Sequence, residues 1–307
     1  MYAFIINPLS RSGKGLQIWH KLQPLIKQQK IEYTSHFTKH EGHATKIVAD
    51  LSTNSKNGEE LILIVLGGDG TINEVLNGIH HFDNLKIGYI PTGSSNDFAR
   101  SHKLPTQPAK ALHKILTSTH TKPLDIGQLT YADQSRKFMV SAGIGFDAAV
   151  CQYAAISKWK AFLNKIKLGK LTYVGIALAR LLFSTPSTLS LTLDSTTTLR
   201  FENAYFAAIM NHPYEGGGLK FCPNAQPSDG VLDVVVAYQM SKLRVLGVLP
   251  LAFKGWHTRC KGVKTFTCKH VLIESELALP IHTDGEALCV QKTVTASLDG
   301  RRVGLIV

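Results

Sequence analysis

Leu61-Ile62-Leu63-Ile64-Val65-Leu66-Gly67-Gly68-Asp69-Gly70-Thr71-Ile72-Asn73-Glu74 is the stretch from which the fold can be read. Its six leading apolar residues are too few for an ordinary helix and rich in β-branching, so they predict a strand buried on both faces, as in a parallel sheet. The chain then turns on glycine. Thr71 to Glu74 has the spacing of a helix-capping box, and Ile72, Val75, Leu76 and Ile79 recur at helical intervals. The reading is strand, glycine turn, capped helix.

The first N–H groups of a helix have no partner inside it, and the helix dipole there favours negative charge. A glycine turn leading into such an end presents bare amides to an anion, above all a phosphate, so Gly67, Gly68, Gly70, Thr71 and Asn73 are candidate phosphate-binding residues. Asp69 is out of place beside a phosphate unless its carboxylate binds the backbone locally, accepts a ribose hydroxyl, or holds Mg²⁺ through water. A second strand and loop follow: Lys86 to Ile90, then Pro91-Thr92-Gly93-Ser94-Ser95-Asn96-Asp97-Phe98. Two such loops at neighbouring strand ends would line one crevice.

Neither standard nucleotide fingerprint fits. Gly68-x-Gly70-x-x-Asn73 lacks the last glycine of the dinucleotide motif, and Ser10-Arg11-Ser12-Gly13-Lys14-Gly15 lacks both the leading glycine of a P-loop and the Ser/Thr after its lysine. Taken together, Gly67 to Val75 and Pro91 to Arg100 resemble the diacylglycerol kinase catalytic domain family, which includes bacterial soluble lipid kinases and is related to the sphingosine kinases. The first loop is shared with NAD kinases, while the second points to the lipid kinases. The resemblance implies an open parallel α/β nucleotide-binding domain like that of NAD kinase, followed by an antiparallel β-sandwich.

Composition agrees with two domains. The 307 residues are 44% hydrophobic, enough for two cores. A net charge of +12 favours an anionic partner, whether nucleic acid, a membrane surface or a charged substrate. No nucleic-acid motif accompanies that charge, so no nucleic-acid partner is expected. Five scattered cysteines without a C-x-x-C pair read as reduced thiols in a cytoplasmic protein without a zinc framework. The start, Tyr2 to Ile6, reads as a first strand rather than a signal peptide, and Arg180 interrupts the longest apolar run, Leu171 to Phe183. Membrane contact is therefore expected to be peripheral.

In chain order, helix spacing follows the loop Asn7 to Lys14, and a second strand is expected over Ile31 to Phe37. His40-Glu41-Gly42-His43 has its histidines three apart rather than four, which fits a helix entry better than a zinc motif. A helix is expected over Ala109 to Leu116. The helical period fades near Asp125, which gives domains at 1–125 and 126–307, with the last residues allowed to return to the first. Short strands then recur: Lys137 to Ser141, Thr188 to Leu193, Ala204 to Met210, Leu232 to Ala237, His270 to Ser275 and Val290 to Ser297. Among them Trp159, Phe162, Leu163 and Ile166 form an apolar helical face beside Lys158, Lys160, Lys165, Lys167 and Lys170. That stretch reads either as a helix packed on the sandwich or as a lip meeting anionic lipid headgroups.

The resemblance supplies the remaining site residues. It implies that Asn7, Ser12 and Lys14 form the first nucleotide loop, that Thr38 ends the second strand against the nucleotide, and that Thr92 and Asp97 belong to the second glycine loop. Gln226 and Val231 by carbonyl and Asp229 by side chain would hold a structural Mg²⁺, in keeping with a hard oxygen-liganded ion. Asp229-Gly230 alone reads as a turn, as does Asp299-Gly300. Asp284 in His282-Thr283-Asp284-Gly285-Glu286 would be the general base, with Glu286 helping to hold metal. The expected activity is ATP- and Mg²⁺-dependent phosphorylation of a lipid hydroxyl, diacylglycerol before a sphingoid base, in the interdomain cleft at an anionic membrane surface. A homodimer is compatible with the sequence. An NAD kinase is the rival enzyme, and a non-catalytic lipid or nucleotide sensor the rival of another class.

Overall fold

A computed structural model describes residues 1–54, 60–156, 181 and 183–307. The basic stretch from Lys158 to Lys170 and most of Leu171 to Phe183 lie outside the described residues. Two compact units are present: Met1–Leu124 with Arg301–Val307, and Asp125–Gly300.

The first unit contains β1 (Tyr2–Ile6), α1 (Ser10–Gly13), α2 (Gly15–Gln28), β2 (Tyr33–Phe37), α3 (His43–Asn54), β3 (Leu61–Gly67), α4 (Asp69–Gly78), β4 (Leu85–Pro91), α5 (Asp97–Ser101) and α6 (Pro108–Thr117). Its sheet runs β2-β1-β3-β4, all parallel. Gly304 and Leu305 near the end of the chain extend it, pairing with Lys86 and Ile87 of β4. All seven residues of β3 are buried, as the continuous apolar run requires of a strand covered on both faces. On one face, Phe4, Ile64 and Leu66 pack under Trp19, Leu22 and Ile26 of α2 and Leu112 and Ile115 of α6. On the other, α3 and α4 approach so closely that a Cβ on Gly78 would lie 3.0 Å from Thr45 Cα, so glycine sets the spacing of that pair.

The second unit contains β5 (Thr121–Tyr131), which enters from the first, β6 (Gln134–Phe138), β7 (Ser141–Gly145), α7 (Phe146–Ile156), β8 (Ser187–Leu193), β9 (Thr197–Met210), β10 (Leu232–Tyr238), α8 (Lys242–Ala252), a 3-10 turn (Trp256–Arg259), β11 (Val263–Cys268), β12 (His270–Thr283) and β13 (Glu286–Ile306). Pairing is antiparallel along the order β11-β10-β9-β7-β12-β13. The long strands β9 and β12 each change neighbour, pairing with β8 in their first halves and with β7 in their second. That exchange folds the sheet over a core of Phe138, Ile144, Leu189, Leu191, Ile209, Val234, Ile273, Ile281 and Val294.

Three local readings change. The sequence reads Thr71 as the cap of α4, but the helix starts at Asp69 behind an extended Gly68. Thr71 Oγ1 instead accepts from Asn7 Nδ2 at 3.1 Å, and Glu74 Oε2 accepts the Ala44 amide at 3.0 Å, which caps α3. Asp299-Gly300 lies inside β13 rather than in a plain turn, and Gly300 takes φ +86°, a conformation that favours glycine, where the strand passes from one unit to the other. α8 and β11 stand where the sequence offers neither a helical nor an alternating period.

Candidate active site

In the first unit the two glycine loops lie back to back. A Cβ on Gly93 would come within 2.7 Å of Gly68 Cα and 2.8 Å of Asn96 Oδ1, and one on Gly67 within 2.5 Å of Thr71 Cβ. Both loops therefore need glycine for approach rather than for a positive φ. The first intrahelical bond of α4 runs from Ile72 N to Gly68 O, so the amides of Gly70 and Thr71 precede the ladder at the positive end of the helix dipole. Such a cradle fits a phosphate chain.

Neighbouring contacts fix its walls. Thr92 N donates to Gly67 O at 2.8 Å, and Thr92 Oγ1 donates to Ser10 Oγ at 2.8 Å. Asn7 reaches Thr71, as above, and its Oδ1 takes the Leu9 amide. Ser12 lies in α1, Lys14 is exposed at its end, and Thr38 continues β2 by donating its amide to Ile6 O at 2.9 Å. Asn73 is fully buried, with Asn77 Nδ2 3.2 Å from its Oδ1. Asp69 spans the two loops: Oδ2 accepts the Asp97 amide at 3.1 Å and Oδ1 that of Phe98 at 3.4 Å. Asp97 is itself buried, with Arg100 Nε 3.4 Å from Oδ1. The Tyr89 hydroxyl is buried with no hydrogen-bond partner among the described residues; desolvation, then the charges of Asp69 and Asp97, push its pKa well above the ordinary value.

In the second unit Asp284 occupies a left-handed turn, φ +49°, between β12 and β13. Its carboxylate accepts three amides: Oδ1 from Val140 at 2.7 Å and Ser141 at 2.9 Å, Oδ2 from Met139 at 2.8 Å. The Asp284 amide returns a bond to Ser141 O at 2.8 Å. This clamp fixes the carboxylate with little side-chain freedom. The hydroxyls of Ser141 and Thr283 beside it are buried without partners among the described residues, so the place offers donors that a bound molecule or water would satisfy. Glu286 is ion-paired with Arg136.

Behind the turn lies a charged cluster. His282 is fully buried, with Nε2 3.3 Å from both Asp147 Oδ2 and Glu215 Oε1. Burial lowers the pKa of its ring, but Glu215 first, then Asp147 and Asp284, outweigh it, and the result is raised to about 9. The Gly285 amide points at Nδ1 from 3.3 Å and opposes a second ring proton. Two carboxylate charges at that range are stronger than one long amide contact. Gly143 pairs with His282 across β7 and β12, and a Cβ there would overlap Asp147 Oδ2 and lie 2.5 Å from His282 Nε2.

The Gln226–Val231 loop is tied down by Asp125. Asp125 Oδ2 accepts the Gly230 amide at 2.8 Å, Asp125 N donates to Pro227 O at 2.8 Å, and Asn211 Nδ2 donates to Asp125 O at 2.8 Å. Gln226 O accepts the Ser228 amide, and Asp229 Oδ1 that of Val231 at 3.3 Å. Gly230 turns at φ +79°, and Asp229 is exposed. An exposed carboxylate and main-chain carbonyls would offer oxygen donors alone, the kind that Mg²⁺ takes.

Sequence reading passed over Tyr89, Asp125, Ser141, Asp147, Glu215, His282 and Thr283. One signal was available for His282: it stands two residues before Asp284 in the His282-Thr283-Asp284-Gly285-Glu286 segment. Asp147 had another, since it follows Gly143-Ile144-Gly145 at the end of β7.

Known proteins resemble this chain along its length. Residues 1–129 match the diacylglycerol kinase catalytic domain, and residues 139–301 the YegS C-terminal NAD kinase beta sandwich-like domain. YtlR of Bacillus subtilis is 32% identical over 93% of this chain and 93% of its own. The diacylglycerol kinase of Mycobacterium tuberculosis is 29% identical over 93% of this chain and 88% of its own. The crystal structure of a diacylglycerol kinase from Bacillus anthracis superposes with a TM-score of 0.71 at 22% identity, covering 99% of this chain and 96% of that one. An NAD kinase from Archaeoglobus fulgidus in complex with ATP gives 0.52 at 11% identity, covering 100% and 94%, a likeness of fold. Among the described residues no helix is long and apolar enough to cross a membrane. With glycine loops, sandwich and matches running the length of the chain, this is a two-domain α/β protein of the diacylglycerol kinase catalytic domain family, a lipid kinase.

Proposed function

We propose that the chain transfers the γ-phosphoryl group of Mg-ATP to the hydroxyl of diacylglycerol, giving phosphatidic acid, with Asp284 as the general base. The observation that carries the nucleotide half is the glycine cradle, closed by Gly68 against Gly93 and opening on the first amides of α4. Gly67, Gly68, Gly70 and Thr71 offer donors to the phosphates. Asn7 and Thr92 brace that wall, and Asp69 holds the second loop by accepting the Asp97 amide; the family resemblance is what assigns Ser12, Lys14, Thr38 and Asn73 to the nucleotide as well. Mg²⁺, when bound, neutralises charge between the phosphoryl oxygens; a further ion is assigned to Asp229 with the carbonyls of Gln226 and Val231.

The acceptor half rests on Asp284. A carboxylate held by three amides cannot swing away from its place, so it offers a fixed lone pair to the lipid hydroxyl, whose proton must leave as oxygen attacks phosphorus. Glu286 keeps its position through Arg136. Diacylglycerol is preferred because relatives from Mycobacterium tuberculosis, Staphylococcus carnosus and Bacillus subtilis that are 27–29% identical bear that activity as their name. The acceptor would be met at an anionic membrane surface by a peripheral, cytoplasmic enzyme, in keeping with the net charge of +12.

The test incubates the protein with labelled ATP and Mg²⁺ in mixed micelles carrying diacylglycerol, sphingosine or monoacylglycerol, and separately with NAD and no lipid. Label in phosphatidic acid is expected. Label in another lipid would move the acceptor, and phosphorylated NAD alone would overturn the reading.

A further inference from the structure

The helix α8, Lys242-Leu243-Arg244-Val245-Leu246-Gly247-Val248-Leu249-Pro250-Leu251-Ala252, is apolar around most of its circumference, yet Ala252 is its one buried residue. Val245, Leu246 and Val248 pack in part on Tyr205, Val235, Met240 and Val263. On the other side Leu243, Gly247 and Pro250, at helical spacing i, i+4 and i+7, form an exposed stripe. Leu243 is 80% exposed, and the turn that follows adds Phe253 at 46% and Trp256 at 52%. Single exposed apolar residues need no explanation, but three large ones within fourteen residues mark a surface that meets something apolar.

Along this segment the charges have one sign. From Val234 to Ile273 the chain carries no Asp or Glu, while Arg244, Lys254, Arg259 and Lys261 are exposed there. Lys254 Nζ lies 4.6 Å from the centre of the Trp256 ring, which keeps cation and indole together at the surface. A second copy of this chain is a poor occupant, because a two-fold contact would set these cations against themselves. An anionic lipid surface answers both features: headgroups meet the cations, and the boundary below them takes the aliphatic and aromatic side chains.

We propose that the exposed side of α8 and the turn after it is a membrane-docking surface for anionic phospholipid, with Leu243, Phe253 and Trp256 entering the headgroup boundary and Arg244, Lys254, Arg259 and Lys261 around them. The proposal rests on the lipid-kinase reading, since it supplies the surface from which a lipid acceptor is drawn.

The full chain is sedimented with vesicles of phosphatidylcholine alone and of phosphatidylcholine mixed with phosphatidylglycerol. Compared with it are Leu243→Ser/Phe253→Ser/Trp256→Ser and Arg244→Glu/Lys254→Glu; all these sites are exposed, and circular dichroism checks the fold. Binding is expected with the anionic vesicles, falling about fivefold for each charge removed, more on reversal, and at least about tenfold in the apolar variant. Trp256 fluorescence, isolated by difference with Trp256→Phe, should shift to the blue on vesicle binding. Each variant is also assayed on a short-chain diacylglycerol below its aggregation concentration, where turnover should match the parent because no surface is needed. Vesicle binding that ignores the variants or the anionic lipid would overturn the proposal, as would a concentration-dependent dimer abolished by Leu243→Ser. No turnover of any acceptor by any form would instead sink the kinase reading, leaving the vesicle result to stand alone.

Discussion

The Asp69 carboxylate accepts the Asp97 amide at 3.1 Å, so the acid of the first glycine loop terminates the helix that follows the second. Beside a phosphate site a carboxylate is otherwise unfavourable, and the backbone contact gives its position a physical reason. With Phe98 N at 3.4 Å on the other oxygen, Asp69 acts as a cap supplied from 28 residues away, and it ties the two walls of the cradle together.

Asp69→Ala should therefore cost about 0.5–2 kcal/mol, the range for a lost helix cap, and loosen the second loop. Urea unfolding should show a lower midpoint with unchanged slope, and ATP affinity, by calorimetry, should fall with it. An unchanged midpoint would mean that the cap carries no stability.

Asp284→Asn should affect two quantities. The general-base contribution is about 10²–10⁴-fold in rate, and that much turnover should be lost in the micelle assay. The asparagine must also turn one N–H₂ toward amides that donate to it now, which costs about 1–3 kcal/mol. Rates should accordingly be compared at temperatures where urea titration shows both proteins fully folded; turnover equal to the parent under those conditions would remove Asp284 from the chemistry.

How far the sequence discloses this arrangement depends on how local each feature is. β3 is legible because a strand covered on both faces must be apolar at every position, and the glycine loop is legible because only glycine lets Gly68 and Gly93 meet. α8 leaves no period to read, since it is apolar toward both the core and its exposed side. The ends of β9 and β12 are hidden for another reason. Each strand changes partner midway, and pairing is not written in one strand's own alternation. The surroundings of His282 come from Asp147, 135 residues earlier, and from Glu215, so its place beside Asp284 in the sequence does not disclose the partners that charge it.

The raised pKa of His282 makes a prediction with a definite sign. The folded value, about 9, exceeds the ordinary 6.5, so protonation favours the folded state. That stabilisation is fully present below pH 6.5 and is lost as pH rises through 9. The groups facing the ring are Asp147 from α7, Glu215 and Asp284, with Cys151 Sγ also within 4.8 Å of the Glu215 and His282 ligand atoms. Thermal midpoints measured from pH 6 to 10 should fall more steeply for the parent than for His282→Gln. Parallel curves would show that the ring does not titrate there.

Gly143 offers an independent way into the same cluster. Any Cβ at this position collides with Asp147 Oδ2 and crowds His282 Nε2, and the carboxylate, the nearer of the two, must give way first. Gly143→Ala should cost about 1–3 kcal/mol, the usual range for overpacking, and should draw Asp147 off the imidazole. The loss of that partner lowers the ring's affinity for its proton, so the pH-dependent part of the stability should shrink along with the total. Residues in one network do not contribute additively. Combined with His282→Gln, the alanine should cost less than it does alone, because the contact it disrupts is already gone; a fully additive double mutant, measured by urea unfolding near pH 6, would show that the glycine serves only the packing of β7 against β12.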